Sequence, residues 1–275
     1  MTIPRVLSIA GSDSGGGAGI QADIKTITML GGHAMTAITA ITAQNTRGVI
    51  EIMPVPTDMV LAQIDAVASD IGIDAVKIGM IRSVETVKAV ASRLMPARLE
   101  KERRGRAFDV VFDPVMIATS GTALADEAAI EAFDQLLAVA TVVTPNAPEL
   151  AALTGLQVGT EAQLEAAAKA LAERYGLAVL AKGGHLPGEA LIDLLALPDG
   201  TIRRWTGKRI ETRHSHGTGC TLSSAIAVGL GAGLSLEAAI TRARDFVRSA
   251  LEAAPGLGEG HGPMGHGLGR AHFIF

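Results

Sequence analysis

Near its N-terminus the chain reads Val6-Leu7-Ser8-Ile9-Ala10-Gly11-Ser12-Asp13-Ser14-Gly15-Gly16-Gly17-Ala18-Gly19-Ile20-Gln21-Ala22-Asp23. The first five residues of this stretch predict a buried strand, and the apolar period from Ile20 onward predicts a helix. Three consecutive glycines between a strand and a helix allow the backbone to approach a ligand closely. Their spacing is neither the dinucleotide-binding fingerprint nor the phosphate-binding loop G-x-x-x-x-G-K-S/T. The stretch therefore predicts a strand, a turn open to a ligand, and a helix.

The same alternation of short β-branched runs with longer runs of helical period continues along the chain. Strands are predicted at Val6–Ala10, Met35–Thr42, Val49–Met53, Ala75–Ile78, Val110–Phe112, Thr141–Val143, Ala178–Ala181 and Leu191–Leu195, with a peripheral antiparallel strand at Thr201–Ile210. Helices are predicted at Ile20–Leu30, Thr57–Ile71, Ser83–Leu94, Glu127–Val139, Glu161–Tyr175, Thr221–Leu230 and Leu236–Leu251. Such alternation favours right-handed crossovers between parallel strands. We therefore predict an α/β fold in three layers, a mainly parallel central sheet with helices on both faces.

Length and composition favour one domain. The chain has 275 residues, of which 48% are hydrophobic, so it can bury a substantial core. No linker divides it, and a single domain is predicted over residues 1–255. Residues 256–275 contain seven glycines between Gly256 and Gly269 and are predicted to form a mobile tail or the edge of a lid. His261, His266 and His272 of this tail could be imagined as metal ligands, but nothing in the sequence fixes them around one ion together with carboxylates or thiols.

Charge and hydropathy exclude two classes of partner. The formal net charge of −4, without basic residues clustered among aromatics, argues against a nucleic-acid-binding face. The one dense basic run, residues 101–106, is predicted to be a solvated loop. No apolar run reaches the roughly 18 residues that a membrane helix needs. Because one cysteine cannot form an internal disulfide and no secretion signal precedes the first strand, a soluble cytoplasmic protein is expected.

The single cysteine stands where a helix is predicted to begin. It ends the run His216-Gly217-Thr218-Gly219-Cys220, which leads directly into the helical pattern from Thr221. The first turn of a helix has unpaired amide groups and a partial positive charge, so glycines there let an anion approach and be held. A thiol at that place is expected to have a lowered pKa and to serve as a base. The alternative is a buried, inert cysteine at the start of a small helix.

Three polar residues near the first two strands are candidate ligands of a small molecule. Gln44 and Asn45 follow the second predicted strand, and their carboxamides could hydrogen-bond a planar ring, although Asn is also a common turn residue. Asp23 lies in the first predicted helix, where a solvated carboxylate near the helix start is the simpler interpretation.

Four more polar residues follow later strands. Asp113 ends a very apolar strand, and Asn146 and Glu149 come after the next one, three residues apart. Oxygen ligands of this kind suit a magnesium ion that keeps several waters, but Asn146 and Glu149 fit a helix capping box equally well. Lys182 follows another strand and could contact a phosphate or lie in solvent. Because the carboxyl ends of parallel strands share one edge of the sheet, these groups together indicate phosphoryl transfer.

At this point the chain resembles the hydroxymethylpyrimidine/phosphomethylpyrimidine kinases of thiamine biosynthesis, within the ribokinase-like superfamily. The resemblance follows the family's order over nearly the whole chain. It rests on the segments Ala10–Asp23, Thr42–Val49, Val76–Met80, Asp113–Met116, Thr144–Asn146, Lys182–His185 and His216–Thr221, and on the ending Gly260–Pro263. The extension from Gly265 to Phe275 departs from the family pattern.

The resemblance implies a role for each matching residue. Gly11, Asp23, Gln44 and Met80 resemble the pocket for the aminopyrimidine ring. Cys220 matches the catalytic base, and Gly217, Thr218 and Gly219 match the anion hole. Asn146 and Lys182 resemble nucleotide contacts, and Glu149 and Asp113 resemble the metal side.

The implied activity is the ATP-dependent and magnesium-dependent phosphorylation of 4-amino-5-hydroxymethyl-2-methylpyrimidine and of its monophosphate. We also expect a homodimer. A pyridoxal or pyridoxine kinase of the same superfamily is the nearer alternative, because some ribokinase-like enzymes with this cysteine arrangement accept that ring. The pocket would discriminate between the two, since Asp23 and Gln44 can hydrogen-bond an aminopyrimidine whereas a hydroxypyridine presents a different edge. A catalytically silent pyrimidine-binding protein is the alternative from another class, and the presence of Cys220 and its glycines argues against it.

Overall fold

In the computed structural model, residues 2–103, 107–117, 121, 124, 127–188 and 190–267 are described, with the backbone alone at 97–103 and 127. The strands are β1 Arg5–Ala10, β2 His33–Ile38, β3 Ala40–Asn45, β4 Gly48–Pro54, β5 Ala75–Ile78, β6 Asp109–Phe112, β7 Val142–Val143, β8 Ala178–Lys182, β9 Ala190–Ala196 and β10 Ile202–Lys208. The helices are α1 Gly19–Met29, α2 Thr57–Asp70, α3 Val84–Arg103, α4 Glu127–Leu137, α5 Ala147–Thr154, α6 Glu161–Tyr175, α7 Thr218–Gly231 and α8 Leu236–Glu252.

Eight of these strands form one sheet in the order β10-β9-β8-β7-β6-β5-β1-β2. The strands from β2 to β8 along this order pair in parallel, and β9 and β10 extend the sheet antiparallel at one side. This confirms the predicted mainly parallel sheet and the antiparallel strand at its periphery. The parallel strands therefore present their carboxyl ends at one edge.

Helices cover both faces of the sheet because successive strand residues point to opposite sides. Leu7 belongs to an apolar cluster with side chains of α2, α3, α4, α5 and α6, whereas its neighbour Val6 packs with α1, α7 and α8. Val110 and Val111 in β6 divide between the two clusters in the same way. A strand buried on both faces needs apolar residues throughout, which explains its unbroken apolar sequence. The three predicted layers are thus confirmed.

One predicted strand, Met35–Thr42, is in fact two. The chain leaves the central sheet at Thr39, whose backbone N–H donates to the Ala10 carbonyl and whose hydroxyl donates to the Met80 carbonyl at 2.6 Å. Beyond it, β3 pairs only with β4, as a separate two-stranded antiparallel sheet over the carboxyl ends of β1 and β5. An apolar run does not reveal such a change of partner, because both halves have strand periodicity.

Two further boundaries differ from the sequence prediction. Helix α3 does not end at Leu94 but continues through Pro96 to Arg103, so part of the basic run 101–106 is helical rather than a loop. Residues 104–106 lie outside the described residues. Helix α7 begins at Thr218 instead of Thr221, which brings Gly219 and Cys220 into its first turn.

The described part of the predicted C-terminal tail packs against the domain. The Gly265 amide donates to the Ala250 carbonyl at 2.8 Å, and the His266 Nε2 atom lies 2.8 Å from the Thr221 hydroxyl. The His261 amide donates to the Thr46 carbonyl in the β3–β4 turn at 2.8 Å. The glycines here allow close packing, since a Cβ on Gly265 would overlap the Ala253 carbonyl. Residues 268–275 lie outside the described residues.

Candidate active site

A cavity of about 1310 Å³ opens at the carboxyl edge of the parallel strands. Eleven of the twelve predicted site residues line it: Gly11, Gln44, Met80, Asp113, Asn146, Glu149, Lys182, Gly217, Thr218, Gly219 and Cys220. The strands explain this convergence, because β1, β5, β6 and β7 each end just before one or more of these residues and β8 ends at Lys182. Ligands of open parallel sheets bind at this edge.

The predicted anion hole forms where two glycine-rich segments meet. Gly217 caps α7 with a left-handed φ of 85°, and a Cβ at this position would overlap the carbonyl oxygen of Gly17. Glycine is therefore required twice over, for the backbone conformation and for the contact. The first turn of α7 faces Asp113 and Lys182, since a Cβ on Gly219 would lie 3.2 Å from Asp113 Oδ2 and 3.4 Å from Lys182 Nζ.

Cys220 lies at this helix N-terminus, yet its thiol does not have the lowered pKa that the sequence predicts. Burial, together with the carboxylates of Asp23 and Asp113, raises the pKa of Cys220 to about 11. The Lys77 ammonium and a hydrogen bond from the Gly19 amide oppose this rise. The expectation from helix position was wrong because desolvation of the thiol and two nearby carboxylates outweigh the effect of the helix terminus. The resting side chain is a thiol.

Lys182 connects the two carboxylates of the nucleotide side. Its Nζ atom lies 3.0 Å from Asp113 Oδ1 and 3.9 Å from Glu149 Oε2. Asp113 is buried and also accepts a hydrogen bond from the Thr144 hydroxyl at 3.1 Å. Although burial opposes ionisation of Lys182, the two carboxylates raise its pKa. The lysine is therefore an ammonium ion held in the site, not a solvated surface group.

Asn146 and Glu149 form the capping box of α5. The Glu149 amide donates to Asn146 Oδ1 at 2.9 Å, and the Asn146 amide donates to Glu149 Oε2 at 2.8 Å. Burial raises the pKa of Glu149 to about 7, with Asp113 adding to the rise and Lys182 opposing it. The capping alternative is thus confirmed, and the same carboxylate still lines the cavity.

The donor set suits a magnesium ion that is held mainly through water and phosphate oxygens. Among the described residues, no three His, Cys, Asp or Glu side chains are grouped to enclose a metal. Asp113 and Glu149 nevertheless face one shared cation, the Lys182 ammonium, and both line the cavity. Magnesium in sites of this kind uses one or two carboxylates and keeps several waters. The two residues fit that requirement.

Asp23 is the one predicted site residue that does not reach the cavity wall. It is fully buried, and its carboxylate accepts hydrogen bonds from Ser8 at 2.6 Å, from Ser224 at 2.8 Å and from Lys77 at 2.8 and 3.0 Å. These donors surround both oxygens, so the structure corrects the assignment of Asp23 as a ring contact. Sequence position could not reveal this, because the partner lysine lies 54 residues away on β5.

Gly11, Gln44 and Met80 do line the cavity below the β3–β4 hairpin. A Cβ on Gly11 would overlap the end of the Met80 side chain, so the glycine is what lets Met80 extend over the end of β1. The Gln44 carboxamide is half-buried and contacts Thr42 and His216. These three residues form the apolar and polar walls expected around a flat ring.

Several cavity residues were missed by sequence reasoning. Lys77, Asp193, His216 and Arg244 all line the cavity, as does Asp13, which follows β1 by three residues. Asp13 and His216 stand within the motifs that the sequence singled out, so their positions were available but no pattern indicated their contact. Asp193 and Arg244 form a 2.8 Å ion pair between β9 and α8, and no sequence signal marks it.

The fold and this set of groups define an α/β phosphotransferase of the ribokinase-like type. The family model described as phosphomethylpyrimidine kinase matches residues 13–265. A hydroxymethylpyrimidine/phosphomethylpyrimidine kinase of Rhizobium meliloti is 49% identical over 264 residues, which cover 94% of this chain and 96% of the relative. The chain belongs to the phosphomethylpyrimidine kinase family.

Solved structures agree with this placement. A phosphomethylpyrimidine kinase from Clostridium difficile superimposes with a TM-score of 0.76 at 36% identity, covering 90% of this chain and 99% of that one. A Bacillus subtilis pyridoxal kinase solved as an ADP complex superimposes with a TM-score of 0.84 at 33% identity, covering 96% and 98%. The central architecture is therefore shared by kinases of two different rings.

The buried Asp23–Lys77 pair leads to a stability prediction. In Asp23→Asn the Lys77 ammonium remains buried beside a neutral amide, so we expect the free energy of unfolding to fall by about 3–5 kcal/mol. The double variant Asp23→Asn/Lys77→Met removes both charges and should recover much of that loss. Urea denaturation measures both, with Asp70→Asn on the exposed end of α2 as the control. Lys77→Met is measured alone as well, and a double variant as unstable as the sum of Asp23→Asn and Lys77→Met would contradict this account.

Proposed function

We propose that the chain transfers the γ-phosphoryl group of ATP to 4-amino-5-hydroxymethyl-2-methylpyrimidine and to the monophosphate of that compound, in thiamine biosynthesis. The proposal depends on the position of Cys220 in the first turn of α7. Cys220 lines one cavity together with Gln44 and Met80, which we call its ring side, and with Asn146 and Lys182, which we call its phosphate side. At about 1310 Å³ the cavity exceeds the usual size for a single small ligand, which suits two substrates. Family membership supports the choice of ring.

The proposed chemistry assigns the proton of the substrate hydroxyl to Cys220. As the hydroxymethyl oxygen bonds to the γ-phosphorus, the bond from phosphorus to the ADP oxygen breaks, and the sulfur of Cys220 takes the hydroxyl proton. The amides at Gly217, Thr218 and Gly219 hold the transferred phosphoryl group. Because Cys220 rests as a thiol, its proton first leaves to water in the cavity, and the resulting thiolate then takes the hydroxyl proton. A cation bound at Asp113 on the cavity wall would offset the charge of one of the carboxylates that raise the pKa of Cys220.

On the nucleotide side, Asn146 and Lys182 are the proposed phosphate contacts, and Asp113 and Glu149 the proposed magnesium ligands. Magnesium, when bound, supplies positive charge to the phosphate oxygens. Lys182 lies 17% exposed at the cavity, so its ammonium can turn from Asp113 towards a phosphate without crossing the core. Asn146 uses its side-chain oxygen in the capping box, which leaves its amide N–H groups as donors.

Pyridoxal is the second proposed substrate, at lower efficiency. It is favoured by the close superposition of pyridoxal kinases on the whole chain, at a TM-score of 0.84 for the Bacillus subtilis enzyme. Since Asp23 lies beneath the cavity wall, Gln44 remains the polar side chain proposed to distinguish the two rings.

The function is tested by ADP release from wild type and Cys220→Ala with three acceptors: the pyrimidine alcohol, its monophosphate and pyridoxal. Wild type should use both pyrimidines in preference to pyridoxal. Cys220→Ala should lose about 10²–10⁴ in kcat on the alcohol, because a general base contributes that much. The loss on the monophosphate should be smaller, since its acceptor oxygen is largely ionised at neutral pH and needs no base.

Cys220→Ser is the matched control for size, and pyrimidine affinity by calorimetry should be retained in both variants. Turnover of Cys220→Ala within a few-fold of wild type on the alcohol would make Cys220 a structural residue. If wild type prefers pyridoxal, pyridoxal and not the pyrimidine would be assigned as the substrate.

The raised pKa of Glu149 predicts how the magnesium requirement changes with pH. Below pH 7 a proton competes with the metal for this carboxylate, so the magnesium concentration for half-maximal rate should rise roughly tenfold from pH 8 to pH 6. Glu149→Gln should need more magnesium than wild type at pH 8 and should lack this pH dependence. Magnesium titrations at several pH values measure both effects, with Glu85→Gln on exposed α3 as the control. A Glu149→Gln curve that overlays wild type would leave the residue only its capping role.

A homodimer is proposed through the outer face of the β3–β4 hairpin. Ile41 and Met53 lie opposite each other in this hairpin and are 47% and 57% exposed, and Ile50, at the register shift farther along the hairpin, is 76% exposed. The inner face of the hairpin packs on Met80 and Leu124. A two-stranded sheet is only marginally stable when the apolar side chains of its other face are exposed to water. A second copy of the same face would cover these side chains.

Sedimentation at several concentrations tests this interface. Ile41→Glu/Met53→Glu should shift the chain to a monomer, whereas Ile3→Glu, at an exposed apolar residue away from the hairpin, should sediment like wild type. A dimer that survives the double substitution would place the interface elsewhere.

The proposed location is the cytoplasm. Cys220 is free, and a catalytic thiol persists in a reducing compartment where ATP is available. Among the described residues no helix is long and apolar enough to span a membrane.

A further inference from the structure

His216 stands at the junction of the phosphate side and the ring side of the cavity. Its Nε2 atom lies 3.0 Å from Asp13 Oδ2 and 3.1 Å from Gln44 Nε2. Asp13 and His216 are both buried, at 2% and 8% exposure. One ring nitrogen therefore faces a carboxylate and a carboxamide at once. Whether this nitrogen carries a hydrogen determines whether each neighbour must accept or donate the hydrogen bond.

The Asp13 carboxylate is ionised in this arrangement. Its Oδ1 accepts the Gly15 amide at 2.8 Å, and its Oδ2 accepts the amides of Gly17 at 3.0 Å and Ala18 at 2.7 Å. Burial opposes ionisation, but the His216 hydrogen bond and these amides lower the pKa of Asp13 below its ordinary value. An ionised carboxylate only accepts hydrogen bonds, so His216 Nε2 must carry the hydrogen and donate it to Asp13.

This requirement determines which end of the Gln44 carboxamide faces the imidazole. A ring nitrogen that carries a hydrogen cannot accept one, so the neighbouring carboxamide atom must be the oxygen. A half-turn of the carboxamide brings Oε1 to His216 and the amide nitrogen to the Thr42 hydroxyl, which lies 3.3 Å from the other carboxamide atom. The Thr42 hydroxyl can accept there, since it donates its own hydrogen to the Ser12 carbonyl at 2.9 Å.

Each of these groups then has a hydrogen-bond partner, and the donors and acceptors follow one consistent order. His216 donates to both Asp13 and Gln44, Gln44 donates to Thr42, and Thr42 donates to Ser12. The reverse orientation leaves two acceptors, or two donors, facing each other beside the buried imidazole, which is unfavourable because neither can pair with the other. The imidazole is also held in place by packing, since a Cβ on Gly17 would lie 2.7 Å from His216 Cδ2.

We propose that His216 is a positioning residue for ring recognition: with Asp13 it fixes the orientation of the Gln44 carboxamide, and so the donor and acceptor that Gln44 offers to the aminopyrimidine. This rests on the proposed role of Gln44 as the ring contact. His216 is adjacent to Gly217, so the group that sets ring recognition and the loop that binds the phosphoryl group are parts of one segment.

A double-mutant cycle on His216 and Gln44 tests the coupling. Calorimetry with 4-amino-5-hydroxymethyl-2-methylpyrimidine should show roughly tenfold weaker binding for His216→Leu, while the KM for ATP stays within about twofold of wild type. In the Gln44→Ala background the same substitution should have no further effect, because the group that it positions is absent. His216→Gln, whose amide N–H can replace the Nε2 donor, should restore most of the affinity.

Discrimination against an analogue without the amino group adds a second readout. Wild type should prefer the aminopyrimidine, and His216→Leu should lose most of that preference, which a general loss of packing would not produce. Thermal unfolding verifies the fold of each variant, with His33→Leu on the exposed start of β2 as the control. Additive losses in the cycle, or equal losses for ATP and pyrimidine, would overturn the proposal.

The nitrogen-15 shifts of the His216 ring, recorded on the whole protein at pH 8 without substrate, separate this proposal from the proposed function. Nε2 should carry the hydrogen in wild type. A bare Nε2 would overturn the assigned hydrogen-bond order even if the pyrimidine is phosphorylated. If Nε2 carries the hydrogen but the enzyme does not phosphorylate the pyrimidine, the assigned hydrogen-bond order stands and the proposed substrate is wrong.

Discussion

The site depends on the close approach of two backbone segments, the glycine turn after β1 and the loop before α7. Gly217 adopts a left-handed conformation against the carbonyl of Gly17, and a side chain at Gly217 would push the two segments apart. Asp13 and His216 join the same segments through a hydrogen bond between buried groups. As a result, the N-termini of α1 and α7 meet at Cys220, which receives a hydrogen bond from Gly19 and lies in the first turn of α7.

Charge is distributed around this point in two ion pairs of different exposure. Asp23 and Lys77 have no exposed side-chain surface, although Lys77 borders the cavity, whereas Lys182 is 17% exposed beside Asp113 at the cavity wall. The inner pair sets a constant electrostatic background for the thiol, because neither side chain can exchange partners without exposing a buried charge. The outer pair can change when substrates bring charge of their own. The thiol is therefore protonated in the resting site, and its pKa depends on the charge that substrates bring into the cavity.

Much of the fold followed from the sequence because strand and helix periods are local properties. Most of the strands and helices, the mainly parallel sheet and the antiparallel strand at its periphery were predicted from apolar patterns. Helix α5, Ala147–Thr154, was not among the predicted helices, because its eight residues are too few to show a helical period. The errors lie where the chain changes partner without changing period, as at Thr39 between β2 and β3, or where a helix continues through a proline, as at Pro96 in α3. Those outcomes depend on contacts with distant strands and helices, which a local pattern does not contain.

For the site, the sequence alone determined which chemical groups lie at the ends of strands, because strand ends and glycine turns depend on residues that are neighbours in the chain. That was enough to place Asp113, Asn146 and Lys182 at one edge, whereas Gln44 lies inside β3 of the separate hairpin. Only the tertiary structure decided that Asp23 pairs with Lys77 instead of facing the ring, and that burial keeps Cys220 a thiol. The physical reason is the same in both cases: the charge state and partners of a buried group depend on residues that are close in space and far apart in the chain.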